Sequence, residues 1–148
     1  MTADPDVDLA VPEIVQYDVM TLLGAAVAGE PLVVELRYAA DDPVVVTLSL
    51  HSAVLDLPRR TWSFERRLLD AGCDEPVDGG QVRVSPVWHA RHGTAVLFEL
   101  AGSGGVLTVL ADLPVVRRFV DRIHLAVPVG SEWDRWVVEA RLAASPAA

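Results

Sequence analysis

Lysine and asparagine are both missing from the 148 residues, and arginine supplies all 12 basic side chains. That substitution has no physical necessity and reads as the mark of GC-rich coding. Basic residues are absent altogether before Arg37, whereas six acids (Asp4, Asp6, Asp8, Glu13, Asp18, Glu30) fall in the first 30 positions. The stretch "VMTLLGAAVAGE" contains Ala26-Val27-Ala28, which resembles a signal-peptidase site. A secretory signal needs a positively charged segment ahead of its apolar run, so no export signal is expected here. No apolar run reaches the roughly 18 residues of a membrane span, so no membrane insertion is expected. With one cysteine, Cys73, an internal disulfide is impossible and a reducing compartment fits. Asp74 and Glu75 beside it disfavour the thiolate a nucleophile would need.

What the chain does have is apolar side chains, 51% of the total, enough for one domain to bury a substantial core. The net charge of −9 opposes binding to nucleic acid, which draws on phosphate neutralisation by basic side chains. Residues 1–11 are acidic, contain Pro5 and show no periodicity; they read as a disordered tail ahead of a single domain over 12–145.

Short β-rich runs then follow one another. "EIVQYDVMTLLG" alternates imperfectly and predicts a strand. "PLVVELRY" sets Leu32, Val34, Leu36 and Tyr38 on one face and Glu35 and Arg37 on the other. Asp41-Asp42-Pro43 turns the chain into a strand whose Val44, Val46, Leu48 and Leu50 share a face. Thr61 to Phe64 predicts a short strand, and Glu65 to Ala71 a short helix ended by Gly72. Strands over Gln81–Val87, Thr94–Leu100 and Val106–Asp112 follow, the last two joined by the Gly-rich turn "AGSGG". Asp112 and Pro114 open a helix whose Val115, Val116, Phe119, Val120 and Ile123 recur at helical spacing. Ser131 opens a second, with Trp133, Trp136, Val137 and Ala140 as its stripe. Strands first and helices last mean an α+β chain with mostly antiparallel sheet.

No catalytic arrangement is legible. "GSGG" lacks the Lys-Ser/Thr of a phosphate loop, and no G-x-S-x-G elbow occurs. His89 and His92 in "WHARH" invite a metal, but zinc needs three or four protein ligands, and no Cys or acid lies nearby to complete the set. The segment reads as a hairpin tip, with Trp88 at its shoulder available to anchor a partner. Arg59, Arg60, Arg66 and Arg67 bracket Trp62 and Phe64. Such interleaving can line a single-strand groove, or it can leave the aromatics inside and the arginines as solvated charge. Asp56, Glu65 and Asp70 nearby favour the second reading.

Together "LRYAADDPVVV" (36–46), "WSFERRLLDAG" (62–72), "GGQVRVSP" (79–86) and "VPVGSE" (127–132) resemble, in order and spacing, the SsgA-like proteins of actinomycetes, over about residues 14–144. Arg67 stands where that family usually has an acid, and "AGSGGVLTVLADLP" replaces its usual Ser-Pro-x-Gly turn. The resemblance implies a non-enzymatic cytoplasmic factor of sporulation septation, concentrated at the division septum and needing no cofactor. It implies protein partners, either the tubulin-like FtsZ, which the SsgB type recruits, or another SsgA-like protein. It further implies a homotrimer of Whirly-like fold, with two packed antiparallel sheets, a short mid-chain helix and two C-terminal helices. The contact surface expected on that basis is Trp88, His89 and His92 at the tip, with Arg66 and Arg67 on the short helix. Single-stranded nucleic acid, suggested by the Whirly-like fold, is the alternative ligand, and the charge balance opposes it.

Overall fold

Alternation in "PLVVELRY" resolves as expected: Leu32, Val34, Leu36 and Tyr38 are all buried, along strand β2 (Pro31–Ala39). The computed structural model describes residues 13–23, 31–51 and 59–130. Strand β1 (Glu13–Leu23) precedes β2, and β3 (Val45–His51) and β4 (Arg60–Glu65) follow it. Helix α1 (Arg66–Gly72) leads to β5 (Val77–Asp78), β6 (Val82–His89), β7 (Gly93–Gly102) and β8 (Gly105–Asp112). Helix α2 (Leu113–Ala126) comes last among the described elements.

All pairings are antiparallel, and the strands form one curled eight-stranded sheet in the order β4-β3-β2-β1-β8-β7-β6-β5. Two packed sheets were expected, and the length of β1 explains the difference. Its 11 residues pair with β2 from Glu13 to Thr21, and its end, Thr21 to Leu23, also pairs with Leu110 to Thr108 of β8. One long strand thereby joins both halves. The Trp62 indole N–H donates to Ala101 O at 2.9 Å, drawing edge strand β4 towards the far end of β7.

The concave side holds the core, one cluster that includes Phe98, Val109, Leu36 and Leu48 of the sheet and Val116, Phe119 and Ile123 of α2. Burial of such side chains contributes about 1.5–3 kcal/mol each. Asp112 is the N-cap residue of α2, with Pro114 in the first turn, but its side chain makes no capping bond. Imperfect alternation in β1 also has a cause. Gln16 faces inward and is buried, donating to Asp18 Oδ2 at 2.6 Å and to Val115 O of α2 at 3.0 Å.

Gly72 ends α1 where a Cβ would lie 2.3 Å from Val84 Cγ1, so helix and sheet can approach only with glycine there. Strand β5 has only two residues and carries no signal of its own in the sequence. The acidic tail, the helix from Ser131 with Trp133 and Trp136, and the ends of the domain boundaries 12–145 lie outside the described residues.

Candidate partner surface

Three loop residues join β6 to β7, between the facing pair His89 and Gly93. Gly93 has φ 66°, the left-handed conformation that closes a loop of this length. The Arg91 N–H donates to His89 Nδ1 at 3.1 Å, which tightens the turn. His92 Nδ1 lies 2.9 Å from Asp112 Oδ1, so the carboxylate that could cap α2 is turned to the tip instead. The two imidazole rings sit 4.9 Å apart between centroids. Among the described residues no group of three or more His, Cys, Asp or Glu side chains is placed to hold a metal ion.

Trp88 is 76% exposed, an unusual position for a tryptophan in a chain with so few aromatics. The pleat divides the expected surface. Trp88 shares the face of Val82 and Val84, which line the core, whereas His89 shares the opposite face with Val87. Trp88 therefore projects beyond the covered part of the concave side, and the histidines belong to the convex side.

The two arginines of α1 part company as well. Arg67 is exposed and paired with Glu65. Arg66 is 3% exposed, donating to Val127 O at 2.8 Å and to the Tyr38 hydroxyl at 3.2 Å. Tyr38 in turn donates to Pro43 O at 2.9 Å. The expected contact at Arg66 is thus corrected: its guanidinium ties β2, α1 and the end of α2 together inside the molecule. The reading of the arginines as solvated charge fails at the same residue. Trp62 and Phe64 are buried, so neither offers a face on which a nucleic-acid base could stack.

A charged centre that the sequence did not disclose lies on the convex face of the first four strands. Glu35 is only 2% exposed. Arg37 donates to its Oε1 through Nη2 at 2.6 Å and Nε at 3.2 Å, and Arg59 Nη2 donates to Oε2 at 2.7 Å. His51 Nε2 lies 3.3 Å from Oε2, and the Tyr17 hydroxyl donates to Oε1 at 3.5 Å. Arg37 reaches Glu13 too, at 2.6 Å. Hydrogen bonds from Arg37 hold the Glu35 carboxyl below the usual carboxylate range; burial pulls the other way, and His51 and Arg59 add to the lowering. A carboxylate so held stays ionised and makes a poor general acid or base near neutral pH. The sequence put Glu35 and Arg37 on one face, but Tyr17 and His51 reach them only through strand register, and Arg59 through the chain's return into β4.

Cys73 is buried at the end of α1. Burial pushes its thiol up to about 11, with Arg117 opposing and Asp74 adding to the rise. It is a poor nucleophile. Arg117 reaches Asp74 at 3.1 Å, an ion pair between α2 and the turn after α1, and His124 Nε2 lies 2.7 Å from Asp70 Oδ1 without hydrogen-bond alignment.

Residues 32–132 match the family described as Streptomyces sporulation and cell division protein, SsgA. The chain belongs to the SsgA-like family. The sporulation-specific cell division protein SsgB of Salinispora tropica is 34% identical over 102 residues, covering 69% of this chain and 71% of that protein. The SsgB of Thermobifida fusca is 30% identical over 115 residues, covering 76% of this chain and 80% of that protein. Among solved structures, an SsgA-like sporulation-specific cell division protein from Thermobifida fusca superposes with a TM-score of 0.79 at 26% identity, covering 97% of this chain and 98% of that one. SsgB of Streptomyces coelicolor gives 0.75 at 27% identity, over 84% and 96%. The curled antiparallel sheet with its helices is thus the architecture of SsgA-like proteins, and the relatives' names support a role in sporulation septation. Those relatives are cell division proteins rather than enzymes. No helix among the described residues is long and apolar enough to cross a membrane.

Proposed function

We infer that the chain is a non-enzymatic septation factor that helps position or recruit FtsZ-type division machinery in the cytoplasm during sporulation. The observation that carries this reading is the family match over residues 32–132, to proteins of sporulation and cell division. The domain is proposed to span 12–145, to assemble as a trimer of Whirly-like type, and to concentrate at the septum. Multivalency gives such an assembly its mechanism. Several copies of a weak patch on one rigid body raise the effective concentration for a partner that is itself a repeating polymer.

The patch is assigned to the hairpin tip. Trp88 offers a large exposed aromatic surface on a short, hydrogen-bonded turn, so little conformational freedom is lost on contact. His89 and His92 flank it from the convex side; Arg67 lies beside Gly79, Gln81 and Val82 at the other end of β6 and does not join the patch, and Arg66 is buried. The experiment is a fluorescent fusion of the full chain in its sporulating host, imaged with labelled FtsZ. Ladders that coincide with FtsZ before septa close are expected. Diffuse fluorescence with normally placed septa in a deletion strain would contradict the reading.

A further inference from the structure

We propose that the free edge of β4 is a second binding surface, which takes an extended acidic segment of a protein partner as an added β-strand. The two ends of the sheet differ in how they stop. At one end β5 is a two-residue strand; there the Gly79 N–H donates to Val82 O at 2.8 Å, and a Cβ on Gly79 would lie 2.2 Å from Leu68 of α1. β5 covers only Arg83 and Val84 of β6, and past them the outward position Pro86 has no N–H to give another strand. At the other end β4 runs for six residues with no further strand beyond it among the described residues.

Register tells which groups of β4 are free. Arg66 N–H donates to Val44 O at 2.8 Å, and the pairs Phe64–Val46, Trp62–Leu48 and Arg60–Leu50 continue that ladder. Antiparallel alternation then turns the peptide groups of Phe64, Trp62 and Arg60 towards β3, and those of Thr61, Ser63 and Glu65 off the edge. No hydrogen bond from these three outward groups is made among the described residues. Beside them lie two cavities that share Gln81, one of about 280 Å³ against Ser63, Phe64, Leu68 and Val82, the other of about 320 Å³ against Arg60, Thr61, Trp62 and Ser103. The edge thus offers main-chain partners beside two cavities of mixed polar and apolar lining.

Charge selects the occupant. Arg59 is committed to Glu35 and Arg67 to Glu65, but Arg60 has no ion-pair partner among the described residues. An added strand is expected to set an acidic side chain at Arg60 and an apolar one at Phe64 and Leu68, four residues or roughly 13 Å further along on the same face. This surface is distinct from the hairpin tip and stands whether or not the tip binds FtsZ.

The test uses the full chain and blocked octapeptides alternating threonine and valine, with Asp at either end, followed by amide hydrogen exchange. Protection is expected at Thr61, Ser63 and Glu65, and the amides of Trp62 and Phe64, already bonded to β3, should not change. Replacing the Asp of the peptide by Arg should weaken binding at least about tenfold. Ser63→Pro removes an outward N–H without touching the β3 ladder, and should weaken it similarly. Arg60→Glu, which leaves the backbone alone, should reverse the preference between the Asp and Arg peptides. Three results overturn the proposal: no protection at millimolar peptide, binding indifferent to both variants, or protection that rises with protein concentration alone, which would make a second copy the occupant. Protection of the three amides in dilute, peptide-free protein would also overturn it, because the edge would then be filled from within the chain.

Discussion

The convex face around Glu35 and the tip of the β6–β7 hairpin are the two places where polar and aromatic side chains gather, and they are built on opposite terms. Around Glu35 a carboxylate is surrounded by Arg37, Arg59, His51 and Tyr17, each turned inward upon it. Its charge is satisfied within the molecule and little is left for a partner. At the tip, His89 and His92 are held by Arg91 and Asp112, while Trp88 touches little and remains open. Charge that is conspicuous in a sequence can be spent on folding, and one aromatic without a neighbour can be worth more to recognition.

Substitutions can break this contrast. The largest effect is expected at Arg66, the inward extreme: Arg66→Leu leaves the Tyr38 hydroxyl and Val127 O without their donor. It should cost about 2–4 kcal/mol in urea unfolding. Glu35→Gln should cost about 1–2 kcal/mol, less because the surrounding cations reach solvent. That difference should depend on pH. Since the folded protein holds the Glu35 carboxyl below its ordinary value, its contribution is present above the ordinary carboxylate range and is lost as pH falls through the folded value. Unfolding curves for the parent and Glu35→Gln should therefore be well separated at pH 6 and converge towards pH 3. A separation that grows on acidification would contradict the geometry. Arg67→Ala, one residue from Arg66, should change stability by no more than about 0.5 kcal/mol. Trp88→Ala with His92→Ala should change it as little, because Trp88 is mostly exposed and the His92–Asp112 pair is exposed.

Period-2 alternation made β2 and β3 readable, and helical spacing with Asp112 and Pro114 placed the start of α2 near Asp112, where its N-cap lies. The tip was legible because its turn chemistry is local. Arg66 was not: in "FERRLL" its neighbour Arg67 looks the same, and only the packing of α1 against Tyr38 and Val127 distinguishes them. The Glu35 centre was half legible, since alternation paired Glu35 with Arg37 but could not bring Tyr17 and His51 across from other strands. The joining of the sheet through Leu22 and Val109 was hidden for the same reason: strand order is a long-range property.

We propose that recognition sits at the hairpin tip of an SsgA-like scaffold. The direct measurement is co-sedimentation of the purified chain with polymerised FtsZ from its own host, titrated to saturation, for the parent, Arg67→Ala and Trp88→Ala with His92→Ala. Saturable pelleting that requires polymer, weakened about tenfold or more in the tip variant with its unfolding curve unchanged, is the expected result. Pelleting by the tip variant equal to that of the parent would contradict the claim for the tip, and no pelleting by any form would contradict it for FtsZ.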